Sequence, residues 1–264
     1  MPLPRITIVT PSYNQAAYLE QTLRSVLDQG YPDLEYLVLD GGSTDGSAAL
    51  IERYAPRLSH WRSAKDAGQA AALREGFARA TGDVLAWINS DDWYEPGALL
   101  RVGEAFARGG ADIVHGSVRF VDTAGARLWD APLVLDENIL AYESEYPAQP
   151  ALFWSRALYE KVGGLDPTFR FAMDYDLLVR MVRAGGRGRK LWPTLANFRL
   201  HPQSKTSTIA AVGAAEVARV RAREGWDTGS SGVRLARRWS ARLSRFARDP
   251  RCLRTAIESR LKGW

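Results

Sequence analysis

Acidic and basic side chains stand in this sequence where apolar runs stop. EYLVLD ends on Asp40, DVLAWINSDD on the pair Asp91 and Asp92, and LANFRLH on His201, while Asp174 opens the helical pattern DYDLLVRM. Carboxylates at the carboxyl ends of several strands of an open α/β sheet converge on one crevice, where ligands of such sheets bind. Two adjacent carboxylates repel each other unless a cation or the donors of a ligand compensate them. Asp91 and Asp92 therefore point to a hard divalent ion, Mg2+ or Mn2+, of the kind shared with substrate phosphates. Asp174, beside the apolar Phe171 and Met173, is a candidate general base. Asp176 points about 200° around the same helix and reads as structural. His201 offers an imidazole to a metal or a phosphate, and Lys205 follows closely enough to reach a diphosphate.

Three further loops precede helices. TPSYNQ follows the first apolar run, so a helix amino terminus there favours an anion and Tyr13 can lie against a planar base. DGGSTDG, headed by Asp40, has glycines for close backbone approach. It lacks the GxGxxG spacing of a dinucleotide fold and the GxxxxGK[ST] of a P-loop, which argues against hydride transfer and P-loop hydrolysis. DAGQAAAL sets Asp66 and Gly68 ahead of a helix. Each motif alone has a plainer reading: Tyr13 as an exposed turn residue, Asp40, Asp45, Asp66 and Asp174 as turn or cap residues, Asp91 and Asp92 as a solvated turn, and His201 as an ordinary loop histidine.

The elements that must position these residues follow from periodicity. Strands are expected over Arg5–Thr10, Leu34–Asp40, Leu58–Arg62, Asp83–Ile88 and Ala111–Gly116. Helices are expected between them over Ala16–Asp28, Ser47–Tyr54, Gln69–Ala80 and Pro96–Ala107, the alternation of a βαβ sheet. GSVRFVDTAGARLWDA reads as a hairpin turning at Ala124-Gly125. Periodicity vanishes from Pro132 to Pro147, read as a mobile loop on the acceptor side. Helices then run over Ser155–Val162 and Asp174–Ala184, LANFRLH is the last strand, and helical stretches follow over Ala210–Glu224, Val233–Arg248 and Arg251–Lys262.

The chain has 264 residues, 46% hydrophobic and 25% charged, ordinary for a globular protein able to bury a sizeable core. No apolar run is long enough to span a bilayer and no signal pattern opens the chain, so the expected location is the cytoplasm. The single cysteine, Cys252, agrees with a reducing compartment. The net charge is +5, but Glu216–Trp264 holds 13 Lys or Arg against 5 Asp or Glu, leaving 5 − 8 = −3 on the rest. A slightly acidic body argues against a nucleic-acid enzyme. In the tail, Arg237, Arg238, Arg242, Arg245 and Arg248 alternate with Leu235, Trp239, Leu243 and Phe246. Residues 233–262 thus offer either peripheral contact with an anionic membrane or a helix packed on the body.

Read in order, TPSYNQ, DGGSTDGS, KDAGQAAALREG, INSDDWYEPGAL, VGGLDPTFRFAMDYDLLVR and RLHPQSKT make the chain resemble the family 2 inverting glycosyltransferases of GT-A fold, from Ile6 to about Ser207. The resemblance implies an α/β fold, a Rossmann-like central mixed sheet flanked by helices, with a basic helical extension at the carboxyl terminus. Residues 1–207 would form the transferase domain, 1–116 its nucleotide-binding half and 117–207 its acceptor half, with 208–264 the extension. Thr10, Pro11 and Tyr13 would cradle the base, Asp40 would bond its edge, and Asp66 and Gly68 would line the same pocket. NSDD is similar to the family's Asp-x-Asp motif. Asn89, in place of the first Asp, and Ser90 would contact the nucleotide sugar, Asp91 would bind the ion and Asp92 support it. Asp174 matches the catalytic base, although Met173 replaces the Glu that often precedes it, and His201 matches a metal ligand of some relatives. The implied reaction moves a sugar from a nucleotide-diphosphate donor, UDP-sugar foremost, to a glycan or lipid-linked acceptor in cell-surface polysaccharide assembly. It proceeds by in-line displacement with Mn2+ or Mg2+, and Lys205 helps at the diphosphate. A nucleotidyltransferase, or a catalytically silent sugar-nucleotide-binding module, is the alternative.

Overall fold

The computed structural model describes residues 2–143, 149–226 and 228–261. Its first half is a run of βα units: β1 (Ile6–Ser12), α1 (Ala16–Leu27), β2 (Leu34–Asp40), α2 (Ser47–Tyr54), β3 (His60–Ser63), α3 (Gln69–Arg79), β4 (Val84–Trp87), the two-residue β5 (Trp93–Tyr94) and α4 (Ala98–Ala107). The second half adds β6 (Ile113–Val121), β7 (Arg127–Ala131), α5 (Glu137–Tyr142), β8 (Leu152–Ser155), α6 (Arg156–Lys161), α7 (Met173–Arg183), β9 (Gly188–Arg199) and the short α8 (Lys205–Thr208). Three helices close the chain: α9 (Ala210–Arg223), α10 (Ser231–Arg248) and α11 (Arg251–Leu261).

The strands form one mixed sheet in the order β3-β2-β1-β4-β8-β6-β9-β5, with β7 paired to the free side of β6's far half. β1 pairs in parallel with both β2 and β4. The chain therefore winds outward through β2 and β3, then returns to β1's other side, leaving a switch point at the carboxyl ends of β1 and β4. Helices cover both faces, as parallel strands require. Alternation along each strand sorts the core: Ile6, Ile8, Tyr36, Val38, Val84 and Ala86 pack on one face with α1, α2 and α4. Val9, Leu37, Leu39, Leu85 and Trp87 pack on the other with α3, α7 and α9. Against that second face Gly76 lets α3 approach closely, since a Cβ there would meet Val9 Cγ1 at 2.5 Å.

Several expectations change. The strand at 111–116 and the first arm of the hairpin are one strand, β6, because the bulges at its middle let it continue beside β9. Part of the stretch expected as a mobile loop is α5, nucleated by Asp136, whose carboxylate caps the amide of Asn138 at 2.9 Å; residues 144–148 of that stretch lie outside the described residues. β8, absent from the sequence reading, slots antiparallel between β4 and β6. The helix expected from Pro96 begins at Ala98, after Gly97 in left-handed conformation (φ 72°). Among the described residues, no helix is long and apolar enough to cross a membrane.

Candidate active site

The carboxyl ends of β1 and β2 make the first wall of the crevice. Tyr13 is 63% exposed, and a Cβ on Gly41 would lie 3.3 Å from its ring and 3.4 Å from the Asp66 carboxylate. Tyr13 and Asp66 thus both stand against Gly41, whose missing side chain leaves room between them. Asp66 is held by Arg62 at 3.2 Å and accepts the Gly68 amide at 2.8 Å. Asp40 is fully buried, and its carboxylate organises the DGGS turn: it accepts from the Gly42 and Ser43 amides at 3.1 and 2.9 Å and from the Ser43 and Ser63 hydroxyls at 2.5 and 2.6 Å. The Thr10 hydroxyl is shared with Tyr36 Oη at 2.9 Å inside the core, and Thr10 and Pro11 are both buried in β1 beside β2. Ser12, the last residue of β1, has a buried hydroxyl without a hydrogen-bond partner among the described residues. Inside the TPSYNQ motif, it went unread in the sequence because nothing in a lone serine marks it.

The turn after β4 carries the acidic pair, and the fold treats its two members differently. Asp91 Oδ2 meets His201 Nε2 at 2.9 Å, and His201 Nδ1 lies 3.2 Å from Gln203 Oε1. The Asp91 contact raises the His201 pKa above its ordinary value, against the opposing effect of burial. Asp92 is turned inward: its carboxylate accepts the Arg199 amide at 2.9 Å and Asn89 Nδ2 at 3.4 Å. Burial, then the charge of Asp91, pushes its pKa well above the usual carboxylate range. Arg199, which periodicity alone did not single out, anchors this turn. Its guanidinium donates to the carbonyls of Asp91 and Thr123 at 3.1 and 2.7 Å and to Gln21 at 2.6 Å, between the rings of Tyr18 and Trp93. Ser90 is buried in the same turn.

A relay of amides joins this turn to the far wall. Asn89 donates to Gln149 at 3.2 Å and accepts from Gln69 at 2.7 Å, and Gln69 in turn accepts from Lys205 Nζ at 2.5 Å. Lys205 also donates to the Arg170 carbonyl at 2.9 Å, at the foot of α7. Gln69 and Gln149 have no local signature, since their partners are far along the chain.

Asp174 sits half-buried in the first turn of α7, its Oδ1 accepting the Tyr175 amide at 2.8 Å. Burial raises its pKa from 3.8 to about 6, while backbone donors and the nearby Lys205 charge act the other way. A carboxyl that changes charge close to neutrality suits a general base. Its loop is held from outside the motif: both oxygens of Glu216, on α9, accept the amides of Arg170, Phe171 and Ala172 at 2.8, 2.9 and 2.8 Å. Asp176 is structural, as its helical angle predicts, fully buried and paired with Arg180 and Arg223, each at 2.6 Å.

Of the three metal candidates, the fold brings Asp91 and His201 into contact and keeps Asp92 apart. Among the described residues no group of three or more His, Cys, Asp or Glu side chains is arranged to hold an ion. The donor set that remains, one carboxylate and one imidazole, fits an ion that takes most of its ligands from substrate phosphates and water. The imidazole makes Mn2+ a better match than Mg2+.

An open mixed sheet flanked by helices, with acidic turns at the carboxyl ends of its parallel strands, is the architecture of a GT-A glycosyltransferase. Residues 7–169 match glycosyl transferase family 2, and the chain belongs to that family. An uncharacterized glycosyltransferase of Nostoc sp. is 29% identical over 231 residues, 83% of this chain and 71% of that protein. By structure, the chain is similar to residues 1–349 of Staphylococcus aureus TarS in complex with UDP-GlcNAc, at TM-score 0.67 and 19% identity, covering 91% of this chain and 73% of that one. It is also similar to the mannosyltransferase PcManGT of Pyrobaculum calidifontis in complex with GDP-Man and Mn2+, at TM-score 0.64 and 20% identity, covering 97% and 74%.

Proposed function

We propose that the chain is an inverting glycosyltransferase that moves a sugar from a nucleoside-diphosphate donor, UDP-sugar foremost, to a hydroxyl of a glycan or lipid-linked acceptor in cell-surface polysaccharide assembly at the cytoplasmic side of the membrane. The observation that carries this reading is Asp174, a carboxyl raised by burial to a pKa of about 6 in the first turn of α7, near the charge of Lys205, which heads a hydrogen-bonded relay through Gln69 and Asn89 in the acidic turn. Residues 1–116 hold the donor: Tyr13 stacks on the base, Asp66 and Gly68 border it, the Thr10-Pro11 backbone and the turn set by Asp40 shape the slot, and Asn89 and Ser90 face the sugar phosphate. Residues 117–207 receive the acceptor, and 208–264 form the basic extension.

Asp174 takes the proton of the acceptor hydroxyl as that oxygen attacks the anomeric carbon. The bond to the diphosphate oxygen breaks on the opposite face, its electron pair leaves with the nucleotide, and configuration inverts. Lys205 lends positive charge to the departing diphosphate. Asp91 and His201 would hold Mn2+ or Mg2+, with Asp92 keeping the turn in place; when bound, the ion neutralises charge on the diphosphate.

The test is a panel of nucleotides and nucleotide sugars with Mn2+ or Mg2+, read by thermal shift and by release of free nucleotide, followed by NMR of the anomeric configuration of any product. One nucleotide class should stabilise the protein in the presence of metal, and the product should be inverted. No shift with any nucleotide in a folded, metal-supplemented sample would overturn the donor site, and a retained configuration would overturn the single-base mechanism.

A further inference from the structure

A helix packed on a globular body ordinarily turns its apolar stripe inward and its charges to water. α10 departs from this: Phe246 packs against Val134, Ile139 and Cys252, but most of its other large apolar side chains face outward. Its buried residues are Ala241 and Arg245, and arginines fasten it to the body: Arg237 donates to Tyr142 Oη at 3.2 Å, Arg242 pairs with Glu143 at 3.3 Å and Arg248 with Asp136 at 2.8 Å. On the outer side Leu235, Trp239 and Leu243, spaced by one helical turn, are 57, 55 and 63% exposed. On α11, Leu253 and Ile257 are exposed as well. Loose docking would leave arginines in water and leucines inside. Here the ion pairs hold the apolar stripe outward.

We infer that this face of α10 and α11 docks on an anionic lipid surface. The stripe would enter the boundary between headgroups and acyl chains, and the arginines along its border would meet lipid phosphates. Charge decides for lipid over a second copy of the chain. From Ser231 to Arg248 the helix carries six arginines and no acid. A second copy of the helix, likewise without an acid, would bring no carboxylate of its own to receive Arg238. Trp239, with the Arg242 guanidinium 5.5 Å from its ring centre, combines the aromatic and cationic groups that suit a membrane interface. α10 packs on α5, whose Leu140 carbonyl accepts Tyr175 Oη at 2.6 Å, and Tyr175 follows Asp174 in the chain. Docking itself does not rest on the transfer reading. Only its use, to bring a lipid-borne acceptor to Asp174, does.

The test is sedimentation of the full chain with vesicles of phosphatidylcholine alone and of phosphatidylcholine mixed with phosphatidylglycerol, at low and high salt, with no donor present. The protein should partition onto the phosphatidylglycerol vesicles and come off with salt. The double variant Trp239→Ser/Leu243→Ser should weaken partition at least about tenfold, given the apolar area of the two side chains, with the melting temperature unchanged. Should that variant melt early, Arg238→Glu carries the same expectation. Wild-type protein left in the supernatant with phosphatidylglycerol vesicles at low salt, or folded variants that bind as tightly as wild type, would overturn the inference. So would a lipid-free dimer in analytical ultracentrifugation that the double variant dissolves. Nucleotide binding is scored separately, so a failure here leaves the donor-site result standing.

Discussion

Asp174→Asn should make the protein more stable while removing its activity. Burial raises the Asp174 pKa from 3.8 to about 6, roughly two units at about 1.4 kcal/mol each, so holding the carboxylate charged in the fold costs up to about 3 kcal/mol. Because the folded state binds this proton more tightly than the unfolded chain, the penalty is full above about pH 6. It fades as pH falls from there and is gone below 3.8. Asn has the same outline, carries no charge, and keeps an oxygen for the Tyr175 amide now bound at 2.8 Å. At pH near 8 the variant should therefore be more stable by about 1–3 kcal/mol, a rise in melting temperature of a few degrees for a chain of this size. Near pH 4 the difference should nearly vanish. Turnover should drop by about 10²- to 10⁴-fold or more, the usual contribution of a general base. The assay is thermal unfolding of both proteins across that pH range, with nucleotide release measured on the same samples. A variant no more stable at pH 8 than at pH 4 relative to wild type would refute the burial argument, and one that keeps most of its turnover would refute the base.

Asp91→Asn and His201→Ala should each remove the Mn2+-dependent part of donor binding by calorimetry; unchanged Mn2+ dependence in both would rule the pair out as the ion's holder. Stripping metal with EDTA should abolish nucleotide release, and Mn2+ should restore it better than Mg2+. Glu216→Gln should cost about 1–3 kcal/mol, since an amide replaces one of the two oxygens that hold three backbone donors, and should lower kcat more than it alters donor affinity. Burial opposes ionisation of Glu216, but those donors outweigh it and hold its pKa below the ordinary 4.5. Its contribution in the wild type should thus be present above 4.5 and fade as pH falls through the lowered value, which acid unfolding of wild type against variant would reveal. Gly76→Ala, whose new methyl would meet Val9 Cγ1 at 2.5 Å, should destabilise by about 1–3 kcal/mol in a denaturant titration without changing donor specificity.

The parallel half of the sheet was legible because its strands, buried on both faces, read as continuous apolar runs broken by helical periodicity. β5 and β8 were not: β5 is two residues long, β8 runs straight into α6, and partners far along the chain make both of them strands. The same holds in the crevice. Asp91, Asp174 and His201 stand at element ends, so their places could be read from the runs they close or open. Arg199, Glu216, Gln69 and Gln149 act across long stretches of chain, and no spacing announces them. Asp92 shows a different limit, for adjacency made it look equal to Asp91. Which of two neighbouring carboxylates faces inward depends on the Arg199 amide, a tertiary fact.

The hold of Glu216 on residues 170–172 bears on how such a protein can be recombined. The segment that matches the family ends at residue 169. A chimera that took only that segment from this chain would import Tyr13, Asp66 and Asp91, but neither Asp174 nor the α9 carboxylate that holds the loop before it. His201 would also stay behind, so the Asp91–His201 contact would be assembled from two parents. On the roles proposed above, the residues assigned to the nucleotide base move with that segment, whereas the proton-accepting end of the reaction travels only as a block from residue 170 through α9. Exchanges between relatives that cut inside that block should give proteins that bind nucleotide and turn over nothing.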